Sequence, residues 1–90
     1  MQRETDAIRF VIYSRSYCHL CDDMRDALHR ALGGMPAQID MVDVDADPAL
    51  VEQYDELVPV LMAARDGGPL HRLCHYFLDE EKLRTFLAGG

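Results

Sequence analysis

Two cysteines three residues apart, Cys18 and Cys21, are the part of this chain best equipped for chemistry. A thiol attacks a disulfide as its thiolate, and a second thiol within reach then resolves the mixed disulfide. The stretch Ser16-Tyr17-Cys18-His19-Leu20-Cys21 follows an apolar, β-rich run and opens an amphipathic one, so the pair falls where a strand gives way to a helix. Free backbone N–H groups and the positive end of the helix dipole favour an anion at Cys18. Cys21 lies one turn along, on the same side. The expected roles are therefore Cys18 as nucleophile, with a pKa below the free value of about 8.5, and Cys21 as resolving thiol.

Neighbouring residues bear on that assignment. His19, when protonated, would stabilise the Cys18 thiolate, and Asp23 is placed to hold its charge; an exposed loop histidine without effect explains it equally well. Asp22 acts the other way, because a carboxylate four residues from Cys18 raises a thiol pKa. A second reading uses Cys18, Cys21 and Cys74 as a soft ligand set for zinc or an iron–sulfur cluster. A third is a redox-inactive adaptor whose cysteines are vestigial. A lone Cys-His after one CxxC is a weaker metal signature than paired CxxC motifs, so no metal site is assigned.

The elements that must position the pair follow from periodicity. Ile8 to Ser14 is nearly continuous β-branched and aromatic sequence, as in a strand buried on both faces. Leu20, Met24, Ala27, Leu28, Ala31 and Leu32 form one helical stripe that Gly33-Gly34 ends. A second strand is expected over residues 37–44. Asp47-Pro48 starts a short helix, with aspartate as cap and proline at its first position. A third strand occupies residues 58–64, beginning at Pro59. Gly67-Gly68 is expected as a two-residue hairpin loop, which sets Leu61 opposite Cys74 and Pro59 opposite Tyr76. The fourth strand runs over residues 70–77, and Asp79 caps a last helix carrying Leu83, Phe86 and Leu87. The acidic run 43–47 lacks the glycine and distal glutamate of a calcium loop and reads as a solvated strand end plus a cap.

The order β-α-β-α-β-β-α describes an α/β domain. Strands joined through a helix pair in parallel with a right-handed crossover, and the last two make an antiparallel hairpin. The result is a four-stranded mixed sheet with helices on both faces. Ninety residues allow one such domain over 1–90, with residues 1–7 as a flexible tail.

Sixteen acidic side chains against nine basic ones give a formal net charge of −7, which argues against nucleic acid or an anionic membrane as partner. The N-terminal residues have no apolar signal region, and the longest apolar run is too short to span a membrane. A cytoplasmic, monomeric protein is expected, and an odd cysteine count does not suit a secreted disulfide scaffold.

At this point the chain resembles a glutaredoxin of the thioredoxin-like superfamily. Residues 13–21, Tyr-Ser-Arg-Ser-Tyr-Cys-His-Leu-Cys, are similar to the family's strand, basic residue and CxxC, and Val58-Pro59 is similar to its Val-Pro before the third strand. The resemblance implies a cis Val58–Pro59 bond and a thiol–disulfide oxidoreductase, with catalytic Cys18 and Cys21. Substrate contacts would come from Arg15, Tyr17, His19, Val58 and Pro59, Arg15 meeting a substrate carboxylate. No bound cofactor is implied. A disulfide-containing protein or small molecule would be the substrate, and glutathione or a thioredoxin-reductase-like flavoprotein the reducing partner. Two departures stand out. His19-Leu20 replaces the family's Pro-Tyr or Pro-Phe, and Cys74-His75-Tyr76-Phe77-Leu78-Asp79 replaces the Gly-Gly-x-Asp turn that holds glutathione. Glutathione is accordingly a poor fit.

Overall fold

The computed structural model describes Ala7 to Gly89, and all of the tail expected over residues 1–7 except Ala7 lies outside the described residues. Ala7 itself is anchored rather than loose. Its N–H donates to Asp66 Oδ1 at 3.0 Å, and its carbonyl accepts from the Asp66 N–H at 2.7 Å.

The elements are β1 (Ile8–Ser14), α1 (His19–Leu32), β2 (Gln38–Asp43), a 3₁₀ turn (Val44–Ala46), α2 (Pro48–Tyr54), β3 (Val60–Arg65), β4 (His71–His75) and α3 (Glu80–Leu87). They build one mixed sheet in the order β2-β1-β3-β4. β1 pairs in parallel with β2 and antiparallel with β3, and β4 is antiparallel to β3. With β1 and β3 central, their side chains alternate between two apolar layers. Phe10, Ile12, Leu61 and Ala63 face α1 and α3 through Met24, Leu28 and Leu83. Val11, Val60 and Met62 face Val44 and Tyr54 on the α2 side. Burial on both faces from Phe10 onward explains why β1 reads as a nearly continuous apolar run, with the exposed Arg9 as its one charged residue.

Capping follows the side chains. Asp47 accepts from the Ala49 N–H at 2.9 Å with Pro48 behind it, and Asp79 accepts from the Lys82 N–H at 3.1 Å. α1 ends on Gly33, whose φ of 58° is the left-handed conformation that closes helices at little cost to glycine.

Several boundaries move. β2 stops at Asp43 because its carboxylate accepts from the Asp45 N–H at 2.9 Å and turns the chain into the 3₁₀ segment. β3 begins at Val60 rather than residue 58, and β4 ends at His75 where Tyr76 leaves the extended region at φ 67°. The hairpin is centred on Asp66-Gly67 instead of Gly67-Gly68. Both central residues have positive φ, 57° and 75°, and the Gly68 N–H bonds the Arg65 carbonyl at 3.0 Å. Asp-Gly suits such a mirror-image turn better than Gly-Gly placed one residue later. Two offsets of one residue then restore the expected register. Counted from this turn Ala63 would meet Leu70, but it pairs with His71. Met62 pairs with Arg72 but Leu61 with Cys74, so Leu73 is the extra residue.

Candidate functional site

The site forms at the sheet end where β1 leaves and β3 enters. Tyr13 pairs with Val60, so the loop carrying Cys18 and the residues just before β3 lie at the same edge of the molecule. The Val58–Pro59 peptide bond is cis. Pro59 is buried and Val58 half-buried; Val58 makes no backbone hydrogen bond among the described residues.

Cys18 is the N-cap of α1. Its backbone is extended (φ −108°, ψ 97°), its Sγ accepts the Cys21 N–H at 3.2 Å, and its carbonyl accepts from the N–H groups of Cys21 and Asp22. A cap side chain normally supplies oxygen to the first free N–H groups of a helix; here a sulfur takes that place, where the dipole favours negative charge. The sulfurs of Cys18 and Cys21 lie at disulfide distance, with Cα atoms 5.3 Å apart. Exposure separates the two: Cys18 is half-buried, whereas Cys21 is 1% exposed. Asp22 is in the first helical turn, and Arg25 stands 3.7 Å from it.

Of the other expected contact residues, Tyr17 is fully exposed at φ 60° and His19 is exposed beside it. Arg15 is committed within the protein. Its Nη2 and Nε donate to Asp45 at 2.9 and 3.3 Å, and its Nη1 reaches Asp55 at 2.8 Å. Hydrogen bonds first with Asp45 and then with Asp55 push the guanidinium pKa upward. Asp45 and Asp55 are residues beside the site that sequence reasoning missed, since nothing local in the acidic run 43–47 or at the end of α2 marks either as an arginine partner.

Tyr76 stands opposite Pro59, as the hairpin register predicts, and its hydroxyl adds a contact that was not expected. Its N–H donates to the Pro59 carbonyl at 2.8 Å and its hydroxyl to the Glu56 carbonyl at 2.7 Å. The Phe77 N–H closes a three-residue turn on the His75 carbonyl at 2.8 Å, with Tyr76 at its centre. Phe77 beyond it is 68% exposed.

The three-cysteine ligand set is not assembled. Cys18 and Cys21 face each other, whereas Cys74, 9% exposed, accepts the Asp79 N–H at 3.4 Å. Burial pushes the Cys74 thiol pKa up, and the Asp79 hydrogen bond offsets part of that rise. Among the described residues, no group of three or more His, Cys, Asp or Glu is arranged to hold a metal ion. No helix among them is long and apolar enough to cross a membrane.

Sheet order, helix placement and a CxxC pair at the start of α1 define a thioredoxin-fold domain with two cysteines at disulfide distance. The chain belongs to the glutaredoxin-like domain family (DUF836), whose model matches residues 9–88. Protein Ne2328 of Nitrosomonas europaea is similar at 29% identity and TM-score 0.81, covering 96% of this chain and 98% of that one. Target protein XcR50 of X. campestris is 32% identical, with TM-score 0.62 and coverage of 90% and 97%. Oxidized mitochondrial thioredoxin 3 of Saccharomyces cerevisiae shares the fold at 15% identity, TM-score 0.66 and coverage of 94% and 80%. No curated protein matches the chain.

Proposed function

We propose that the protein is a cytoplasmic dithiol oxidoreductase of glutaredoxin-like type, acting on disulfides of proteins or small molecules. The observation that carries this reading is the asymmetry of the pair: an accessible Cys18 at the helix cap above a Cys21 that is 1% exposed. In the reducing direction, Cys18 gives up its proton and its thiolate attacks one sulfur of the substrate. The substrate S–S bond breaks, one half leaves as a thiolate that takes up a proton, and a Cys18–substrate disulfide remains. Cys21, deprotonated in turn, attacks Cys18 Sγ and releases the second half. Two electrons and two protons have passed to the substrate, and the Cys18–Cys21 disulfide has formed.

Tyr17, His19 and the Val58-Pro59 backbone flank the attacked sulfur, and an extended substrate pairs its main chain with Val58. A thioredoxin-reductase-like flavoprotein or another thiol donor returns the pair to the dithiol state. Glutathione is disfavoured, because Tyr76 and Phe77 occupy the turn where a glycine pair would leave room.

The reading is tested by alkylating the reduced protein across a pH series, alongside Cys18→Ser and Cys21→Ser. Cys18 should label first, with a midpoint below about 8.5. Faster labelling of Cys21 would reverse the roles.

A further inference from the structure

The segment that enters β3 is held from two sides by residues far away in sequence. On the β1 side, Arg15 is anchored by Asp45 at 2.9 Å and reaches Asp55, the C-cap of α2, at 2.8 Å. On the β4 side, Tyr76 donates its N–H to the Pro59 carbonyl at 2.8 Å and its hydroxyl to the Glu56 carbonyl at 2.7 Å. The Leu57 N–H bonds back to the Tyr54 carbonyl at 2.8 Å, which ties the middle of the segment to α2. Residues 55–59 are thus fixed at both ends and in the middle, while Val58 keeps its own N–H and carbonyl without a backbone partner among the described residues.

The Tyr76 contacts go to main-chain carbonyls, so they set the path of the backbone whatever side chain Glu56 carries. They are made at a φ of 67°, where a bulky residue sits only when its surroundings over-determine it. Arg15, 30% exposed, is likewise paired with carboxylates of the chain itself. Neither arrangement is needed to bring the two cysteines together, since both lie on α1 and its cap.

We propose that Arg15 and Tyr76 are positioning residues that preset residues 55–59 as a ledge, on which a disulfide-bearing polypeptide is laid against Cys18. The inference rests on the oxidoreductase reading. What the ledge offers is the free N–H and carbonyl of Val58, and their natural complement is another extended main chain. Holding it in place beforehand removes the ordering that binding would otherwise require. A small disulfide has no main chain to lay there and reacts at Cys18 without the ledge.

The test compares two substrates, a synthetic extended peptide carrying one disulfide and hydroxyethyl disulfide, across Tyr76→Phe, Arg15→Met and the double variant. Tyr76→Phe keeps the ring and backbone and deletes one hydrogen bond. The peptide KM should rise by about threefold to tenfold, with kcat, the hydroxyethyl disulfide rate and the pH profile of Cys18 alkylation unchanged. Arg15→Met should act in the same direction, and Arg15→Lys should restore part of the loss. Because both residues hold one segment, the double variant should fall short of the product of the single effects. An unchanged peptide KM, an equal loss on both substrates or a fully multiplicative double variant overturns the ledge. A Cys18 unreactive toward alkylating agent and both disulfides overturns the oxidoreductase reading itself, and the ledge with it.

Discussion

The β3–β4 hairpin can be compared end to end. At its turn, the two central positions with positive φ are filled by Asp66 and Gly67, residue types that accept that conformation readily. At its open end, beside the cysteines, the two further non-glycine residues with positive φ among those described are Tyr17 and Tyr76. For an aromatic residue this conformation is a real outlier. Local preference is obeyed where only chain reversal is at stake and broken at the sheet end that carries the CxxC pair. Departures of that kind gather at sites, held in place by the surrounding structure. At Tyr76 the holding contacts are visible as two hydrogen bonds to residues 56 and 59.

The sharpest separation between the two ends should be in turnover. Cys18→Ser should abolish reduction of a disulfide peptide, whereas Asp66→Asn, which still tolerates positive φ, should leave kcat and KM as they are. A loss of activity in the Asp66 variant, measured under the same assay, would mean the ends are coupled.

Stability should show the next largest contrast. A Cβ added at Gly67 meets nothing within 4 Å, so Gly67→Ala is penalised by its φ of 75° alone. The expected cost is about 1 kcal/mol, read from urea unfolding. Tyr76→Gly removes a comparable backbone penalty, loses the hydroxyl contact and gains chain entropy on unfolding, so its net change should be within about 1 kcal/mol of zero. A cost above about 2 kcal/mol would show that Tyr76 is retained for the fold.

The smallest effect concerns Cys74, on β4 between the two ends. Its thiol pKa is raised from 9.0, first by burial. The protonated form is therefore favoured in the folded state, and its contribution is present below the unfolded pKa and lost as pH rises through the folded one. Cys74→Ala should show a shallower stability loss above about pH 9 than the parent. Tyr13, also raised by burial and by Tyr54, is common to both proteins and drops out of the difference. Matching curves would leave Cys74 with no share in alkaline unfolding.

Much of this arrangement was legible in the chain. The apolar run of β1, the stripe of α1, the Asp47-Pro48 and Asp79 starts and the CxxC pair at a strand-to-helix junction are short-range patterns, and each element forms at those residues. The hairpin shows where such reading gives out. The turn is centred one residue earlier than expected, yet Leu61 still meets Cys74 because one offset between the turn and Ala63–His71 and a bulge at Leu73 together make up the two-residue difference. A bulge is set by pairing across strands and leaves no local mark. The Arg15 ion pairs and the Tyr76 hydroxyl bond to Glu56 are invisible for the same reason, since their partners lie far along the chain, whereas Tyr76 opposite Pro59 followed from the hairpin register. The alternation of Asp40 and Asp43 with apolar residues located β2, but the capping contact from Asp43 to Asp45 shortened it.

The central place of β1 also bears on how the chain is assembled. Its first neighbour is β2, and its second is β3, where Ile8 meets Arg65 and Tyr13 meets Val60. The strand leading into the cysteine loop is thus the earliest to be synthesised and among the last to be fully paired. A growing chain that stops short of Arg65 leaves Phe10, Val11 and Ile12 without one of their strands, and such an apolar, unpaired edge invites association with other chains. Loop closure over that distance has to precede the contacts that reward it. The cysteine pair can arise early, as a local feature of α1, but the surface opposite it exists only once nearly the whole chain is in place.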